Sequence, residues 1–433
     1  MTDRSDPSSR RPGLARRGFL KAGGAAVAGL AAGAAAAPAQ AAPGHSAPAD
    51  PMAERVPFHG EHQAGIVTPQ QSHTYIAAFD IATDKRAELV ALLREWTDAA
   101  ARMTRGEPAG PLAVPDGQAA GDSGETIGVG PAALTLSFGF GPGLFATADG
   151  HDRFGLASRR PAALVDLPRF NGDQLVAEKT GGDLLVQACA NDAQVAFHAV
   201  RQLARLGYGA LRMRWGQAGF LTGARGQTPR NLMGFKDGTN NPSPRDPAAM
   251  QRFVWAGAAD APWMAGGTYT VVRRIRITLE HWDRTDLAFQ EQVFGRHKVS
   301  GAPLGGRGEF DALDLKAEDA DGNPVIPQGS HVRLSNQASN DGAQILRRSY
   351  SYNDSTNFYI ERWPPWRQEV EYDAGLIFIA HQADPRTGFI PINRNLSKFD
   401  LMNQFTTHVG SAIFAMPPGV REGGWLGASL FET

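Results

Sequence analysis

The sequence predicts an α+β fold built from two similar halves, each an antiparallel sheet with helices on one face. Three observations support this prediction. The chain has 433 residues, which is long for one core and comfortable for two. A strand–helix–strand order occurs in each half, and the apolar spacing changes between strand and helix segments. A duplicated ferredoxin-like fold is the first interpretation, and one larger α+β domain is the alternative.

The first half, residues 57–225, follows the order strand, helix, strand, strand, helix, strand. Its first predicted helix carries Leu89, Leu92, Leu93 and Trp96 at helical spacing, which gives it one apolar face. A loop is expected at residues 106–124, which are rich in Gly, Pro and Ala. The predicted strands are residues 73–81, 133–140, 183–190 and 210–215, and the predicted helices are residues 84–103 and 194–206.

The second half, residues 226–433, repeats this alternation of predicted strands and helices. It opens on a long alternating segment, residues 269–279, which predicts a strand. The other predicted strands are residues 346–352, 375–380 and 411–415, and the predicted helices are residues 283–294 and 398–408.

The N-terminus has the parts of a signal peptide. Arg16 and Arg17 precede a weakly apolar, Gly/Ala-rich stretch, and Ala39–Gln40–Ala41 supplies a small-residue cleavage site. The paired arginines indicate twin-arginine export over residues 1–41, followed by a flexible leader, residues 42–56. An Arg- and Ala-rich disordered tail is the alternative. Export by this route predicts a periplasmic or extracellular protein that is folded, with any cofactor already bound, before it leaves the cytoplasm.

Composition argues against two classes of partner. The net charge is −1 without a basic stripe, which argues against nucleic-acid binding. No apolar run in the mature region approaches the roughly 20 residues of a membrane helix, so stable membrane insertion is not expected. The single cysteine, Cys189, lies in a predicted buried strand and is interpreted as a small core residue. A nucleophilic role would need a nearby base or cation that the sequence does not show.

Three segments have residue types that suit neither a plain core nor a plain surface. Residues 231–242, rich in Gly and Asn, contain Asp237, although an Asp-Gly pair is also a common turn. Residues 329–337 contain His331, one of 11 histidines. In residues 345–352, strand alternation turns either Arg347 or Arg348 toward the interior, where a cation needs an anion or a ligand. A salt bridge at the sheet edge is the alternative.

Together these segments resemble the dye-decolorizing peroxidase family, above all its twin-arginine-exported bacterial members, which include deferrochelatase/peroxidases of iron uptake. The most specific motif is Gly234–Phe235–Lys236–Asp237–Gly238. The resemblance runs through the mature chain, from residues 59–66 to residues 409–415 and 417–420, and includes residues 182–187, 295–296 and 301–304.

The resemblance implies one haem b per chain, held mainly by the C-terminal half with His331 as axial iron ligand. It also implies that Asp237 shuttles a proton within bound peroxide and that Arg347 supplies fixed positive charge. An aspartate in this role suggests an acidic pH optimum. The second ring nitrogen of a haem-ligating histidine needs an acceptor, and Asp384 is predicted to be that acceptor.

Further residues are expected around the haem. Those predicted to line the haem and its propionates are Gly238, Thr239, Asn240, Asn336, Gln337 and Ala338, with Arg333 meeting a propionate. The strand Leu376–Ile379 is expected to form an apolar wall. Bulky donors suggest surface residues that relay electrons, and the candidates are Trp363, Trp366, Tyr350, Tyr352 and Tyr359, each with ordinary packing as the alternative.

The leading functional hypothesis is therefore a haem peroxidase that uses hydrogen peroxide and a reducing organic substrate. The alternative is a haem-handling deferrochelatase that releases iron from haem and works with iron-uptake permease components. A non-haem binding module with a ferredoxin-like fold would require all three motifs to be coincidental. The sequence leaves the oligomeric state open.

Overall fold

The structure is a computed structural model that describes residues 50–223, 226–363 and 366–432, with the side chains of residues 357–371 left out. The predicted signal peptide and most of the leader lie outside the described residues. So do the side chains of three predicted relay residues, Tyr359, Trp363 and Trp366. Among the described residues, no helix is long and apolar enough to cross a membrane.

The described residues form strands β1 to β9 and helices α1 to α9. The strands are β1 His73–Ile81, β2 Thr135–Phe140, β3 Leu184–Ala190, β4 Leu211–Phe220, β5 Thr268–Ile277, β6 Leu346–Arg347, β7 Tyr350–Trp363, β8 Trp366–Gln382 and β9 Thr406–Met416. The helices are α1 Arg86–Met103, α2 Pro142–Phe145, α3 Ala193–Leu206, α4 Pro247–Phe253, α5 Leu279–Asp283, α6 Leu287–Phe294, α7 His331–Leu334, α8 Phe389–Phe399 and α9 Ala428–Phe431.

Each half has the strand order of a ferredoxin-like unit. In the first half β4, β1, β3 and β2 are neighbours in that order, and in the second half β7, β8, β5 and β9 are. All the ladders between these strands are antiparallel. The predicted α+β class with two such halves is confirmed.

The two sheets also join at both edges, which the sequence pattern did not predict. Phe140 of β2 pairs with Ala415 of β9, and Phe220 of β4 pairs with Ser351 of β7. The eight long strands therefore form one closed sheet, which leaves few exposed edges. Inside it lies a small apolar core, which includes Cys189 as the sequence predicted.

The two long helices of the first half pack their apolar faces on its sheet. In α1, Leu89, Leu93 and Trp96 are buried, as their spacing predicts. The α3 helix begins after Asp192, whose carboxylate accepts the Val195 N–H at 2.9 Å and so satisfies a free helix-end donor. Burial of these faces is the main source of stability for helices of this length.

Two helix predictions in the second half need correction. The predicted helix 283–294 begins later, at Leu287, because α5 ends at Asp283 and Asp286 caps a new helix by accepting the Phe289 N–H at 2.9 Å. The predicted helix 398–408 is wrong: α8 ends at Phe399, and β9 begins at Thr406. Between them Asp400 accepts the Met402 N–H at 2.8 Å and starts a short 3₁₀ turn.

Strand alternation places consecutive arginines of the Arg347 segment on opposite faces of the sheet. Arg347 faces the haem-side cavity described below. Arg348 is buried, donates to the Thr68 carbonyl at 2.5 Å and contacts the Gln71 side chain. Tyr350 and Tyr352 are only 1% and 0% exposed, so the prediction that they lie at the surface is wrong.

Candidate active site

A cavity of about 680 Å³, lined mainly by the second half and also by residues 170–174 of the first, brings the three singled-out segments together. Asp237, His331 and Arg347 all line it. Its size falls in the range of small-molecule and cofactor sites. On β8, Leu376 and Phe378 form part of the wall, while Ile377 and Ile379 belong to the core inside the closed sheet. Only alternate residues of the predicted apolar wall therefore face the cavity.

Hydrogen bonds within the loop fix the conformation of the segment that contains Asp237. The Asp237 N–H donates to the Pro229 carbonyl at 2.9 Å, and the Asn231 side chain accepts the Met233 N–H at 3.1 Å. Gly238 has a φ of 118°, a conformation that L side chains rarely adopt. The glycine after Asp237 thus lets the chain turn away directly while the carboxylate stays at the cavity.

Asp237 and Arg347 form an ion pair across the two segments. Arg347 Nη1 donates to Asp237 Oδ1 at 2.7 Å, and their side chains are 24% and 18% exposed. A charge-assisted hydrogen bond at this depth is stronger than one between neutral groups. Within the described residues, Asp237 Oδ2 accepts no hydrogen bond, so one oxygen of the carboxylate remains available to a ligand.

His331 opens the short helix α7, and its ring is fixed by Asp400. Nδ1 donates to Asp400 Oδ2 at 2.6 Å, and the Asp400 side chain is only 3% exposed. A carboxylate acceptor keeps the proton on Nδ1, which leaves the lone pair on Nε2 for a metal. In the described part of the chain Nε2 has no partner. The prediction that Asp384 fills this role is wrong, because Asp384 pairs with Arg386 at 2.6 Å, outside the cavity.

A glycine lets α6 and α7 approach closely at His331. Gly295 follows α6 with a φ of 78°, and a Cβ built there would lie 2.6 Å from Val332 Cγ2. The close approach leaves the Phe294 ring 6.3 Å from the imidazole, centroid to centroid. This explains why the Gly295–Arg296 signature stands out in the sequence.

The remaining predicted haem contacts divide into two groups. Gly238, Thr239, Asn240 and Asn336 line the cavity, and Gln337, Ala338 and Arg333 do not. The Arg333 guanidinium instead donates to the Ile326 carbonyl at 2.7 and 3.0 Å. The structure therefore gives no support to a contact between Arg333 and a propionate.

The sequence predicted no role for Arg296, which lies at the cavity, or for Glu309, which lies beside it. Arg296 lines the cavity, is 8% exposed and donates to the Gly301 and Glu309 carbonyls at 2.6 and 2.8 Å. Burial lowers the pKa of Arg296, and the Arg347 charge adds to this. Arg296 and Glu309 both lie in the long irregular segment that follows α6, where the sequence has no periodic apolar pattern that would indicate a function.

Glu309 ties that irregular segment to the loop on both sides of Asp237. Its carboxylate contacts Lys236 Nζ and accepts the Thr239 hydroxyl at 3.1 Å. Burial would raise its pKa, but the hydrogen bonds, Lys236 first, outweigh burial and hold that pKa below the ordinary value. The half-buried Glu309 carboxylate therefore neutralises Lys236, which lines the cavity.

The residues of the cavity fit a haem. Apolar side chains such as Leu376, Phe378 and Ile392 suit a planar macrocycle. The guanidinium groups of Arg296 and Arg347 suit the propionate carboxylates at the edge of the macrocycle. His331 presents a ring nitrogen with a free lone pair and a carboxylate behind it, which is the donor set of a peroxidase iron.

A second group with possible metal ligands lies in the first half, at Asp122, Glu125 and His198. Both ring nitrogens of His198 already face carboxylates, at 3.2 Å to Asp122 and 3.0 Å to Glu125. Arg201 also contacts Glu125 at 2.9 Å. These contacts satisfy one another, so the group is an ion-pair network that joins a loop to α3.

Comparisons with known proteins agree with the cavity. The sequence profile of the Dyp-type peroxidase N-terminal domain matches residues 63–221, and that of the C-terminal domain matches residues 228–421. A dye-decolorizing peroxidase of Thermobifida fusca is 39% identical over 396 residues, 88% of this chain and 86% of the relative. A deferrochelatase of Escherichia coli K12 is 37% identical over 399 residues, 89% of each chain.

Solved structures give the same result. A DyP-type peroxidase from Streptomyces coelicolor is 40% identical, with a TM-score of 0.81 over 90% of this chain and 100% of that one. Ferric DtpA from Streptomyces lividans has a TM-score of 0.80 with the same identity and coverage. The chain therefore belongs to the Dyp-type peroxidase family and is a haem-dependent peroxidase.

Proposed function

We propose that this peroxidase is an exported enzyme that reduces hydrogen peroxide and oxidises dyes, phenols or other organic donors. In it, His331 holds the iron of haem b, and Asp237 and Arg347 act on the peroxide. The observation that carries the proposal is the Arg347–Asp237 ion pair of 2.7 Å in the same cavity as a histidine with a free Nε2.

Haem b supplies the redox-active iron at which peroxide is reduced. The chain's own residues move the proton. Asp237 Oδ2, which has no partner among the described residues, accepts a proton from one peroxide oxygen and returns it to the other. Arg347 stabilises the negative charge that develops on the departing oxygen.

Asp400 acts from behind the ring of His331. Its carboxylate fixes the tautomer and the orientation of the imidazole and makes Nε2 a more basic donor. A more electron-rich ligand favours the higher oxidation states that a peroxidase requires. The low exposure of Asp400 strengthens this interaction, because little water screens it.

A second candidate function is release of iron from haem. The observation that favours it is the 37% identity with proteins named deferrochelatase over 89% of each chain. Such a role would couple the enzyme to an iron-uptake permease. The residues of the cavity are compatible with either fate of the haem.

One experiment separates the two functions. Haem-loaded mature protein is mixed with peroxide and a phenolic donor, while an iron chelator and porphyrin fluorescence report any release of iron. The proposal expects many donor molecules to be oxidised per haem while the iron stays bound. Metal-free porphyrin that appears as fast as the donor is consumed would favour iron release instead. If neither donor oxidation nor iron release occurred, both candidate functions would be contradicted.

The export proposal rests on Arg16, Arg17 and the cleavage site ending at Ala41. Changing Arg16 and Arg17 to lysine is expected to retain the folded protein in the cytoplasm. Arg10 and Arg11 form a second arginine pair and provide the matched control, which should still be exported. Fractionation and N-terminal sequencing measure this, and an exported protein that still contains residues 16–41 would contradict the proposal.

A further inference from the structure

Among the described residues, no other strand covers one edge of the short strand β6. Its residues pair with β8, where Arg347 stands opposite Ala380, and the next N–H, from Arg348, donates to the Ile379 carbonyl at 2.8 Å. In an antiparallel ladder, neighbouring residues turn their peptide groups to opposite sides. The N–H and C=O of Arg347 itself therefore point away from β8.

The side chain of Asn241 occupies this uncovered edge. The Arg347 N–H donates to Asn241 Oδ1 at 3.1 Å, and Asn241 Nδ2 donates to the Arg347 carbonyl at 2.7 Å. A primary amide has one acceptor and one donor side by side, so it takes the place of a strand partner. A neighbouring contact, from Gln344 Nε2 to the Asn240 carbonyl at 3.0 Å, ties the same two segments together.

Asn241 belongs to the turn that carries Asp237. Its N–H donates to the Gly238 carbonyl at 3.0 Å, and Gly238 directly follows Asp237. One turn therefore holds the carboxylate and also grips the backbone of the arginine 110 residues further along the chain. The contact fixes the origin of the Arg347 side chain relative to Asp237.

We propose that Asn241 is a positioning residue, which sets the Arg347 guanidinium against Asp237 for the reaction with peroxide. This inference rests on the proposed roles of Asp237 and Arg347. Positioning matters because a displacement of about 1 Å can cost roughly a hundredfold in rate. Loss of the two Asn241 hydrogen bonds would leave one edge of β6 unpaired. This strand is only two residues long and has few other hydrogen bonds to hold it in place.

The chain contains a matched example of the same contact far from the cavity. Gln63 Oε1 accepts the Phe138 N–H at 2.7 Å, and Gln63 Nε2 donates to the Phe138 carbonyl at 2.9 Å. Neither residue lines the cavity. Gln63→Ala removes the same pair of contacts without touching the site, together with a third hydrogen bond, from Gln63 Nε2 to the Pro417 carbonyl at 2.8 Å, so its structural cost should be at least that of losing the pair.

Two substitutions at Asn241 separate its donor from its acceptor. Asn241→Ala removes both contacts. Asn241→Asp has nearly the same shape and keeps an acceptor for the Arg347 N–H, but it sets a carboxylate against the Arg347 carbonyl. The aspartate variant is therefore expected to be impaired despite its shape, which a simple packing role would not predict.

The test compares peroxide consumption, haem retention and backbone protection. Asn241→Ala is expected to lower the second-order rate constant for peroxide about 10- to 100-fold. Haem retention and the response to donor concentration should stay as in the parent. In the haem-free protein, exchange of the Arg347 amide hydrogen should speed up. Gln63→Ala should keep the parental rate constant even if its melting temperature falls as much as that of Asn241→Ala.

Measurements in an Arg347→Ala background distinguish the positioning role of Asn241 from the proposed role of Arg347, on which it rests. If Asn241 acts through Arg347, adding Asn241→Ala to Arg347→Ala should slow the reaction no further. A full additional loss in that background would overturn the positioning role, and so would a parental rate in Asn241→Ala alone. If Arg347→Ala itself left the rate unchanged, the proposed role of Arg347 would fail first.

Discussion

His331→Ala should leave the folded protein unable to hold haem. The imidazole is the one described side chain of the cavity that pairs a free ring nitrogen with a buried carboxylate behind it. Its removal takes away the iron ligand, and the remaining apolar contacts hold only the porphyrin. The visible spectrum of the reconstituted protein measures this, and the intense porphyrin band should be weak, shifted and lost on gel filtration.

Two variants make this result specific. Asp400→Asn keeps the shape of the carboxylate and removes its charge, and it is expected to weaken haem binding about 10- to 100-fold, less than His331→Ala. His297 is the control, because it also pairs with a carboxylate, Glu291 at 2.8 Å, but does not line the cavity. His297→Ala should bind haem normally, and a parental spectrum in His331→Ala would refute the ligand assignment.

The halves of the fold were predictable because their signals are local. Apolar spacing in β1 and α1 marks a strand and a helix within single windows, and their observed bounds agree with the prediction within two residues. The joins between the sheets are not local. Phe140–Ala415 and Phe220–Ser351 are single pairs between residues more than 130 positions apart, and nothing in either strand marks its partner.

The error over the partner of His331 has a similar cause. Asp400 stands 69 residues after His331, at a helix end that the sequence pattern placed inside a continuous helix. An aspartate within a helix face carries no sign of a role, whereas one that starts a new turn is a common capping residue. Asp384 follows an apolar strand and therefore looked better placed, but the structure pairs it with Arg386.

Strand alternation alone left open which of two arginines serves the site, although the family resemblance indicated Arg347. Alternation requires opposite faces for Arg347 and Arg348, but it does not say which face holds the ligand. The structure resolves this through contacts from distant segments. Thr68 and Gln71, from the first half, take up Arg348, and Asp237 takes up Arg347. A remote partner therefore satisfies each guanidinium, that of the buried Arg348 and that of the half-buried Arg347.

Loss of either member of the Asp237–Arg347 pair should slow the reaction with peroxide while haem remains bound. Asp237→Asn keeps the shape but cannot take up a proton, so the expected loss is about 10²- to 10⁴-fold. Arg347→Ala removes charge stabilisation, worth about 10²- to 10³-fold. Stopped-flow spectra of the haem-loaded proteins at several peroxide concentrations give the second-order rate constants that measure both losses.

The two losses should not add, because the residues form one unit joined at 2.7 Å. The double variant is expected to be little slower than the worse single variant. Asp384 and Arg386 form a comparable pair at 2.6 Å outside the cavity, so Asp384→Asn and Arg386→Ala should react at the parental rate. Independent, multiplying losses at Asp237 and Arg347 would instead mean that the two side chains act on separate steps, and the ion pair would then be structural.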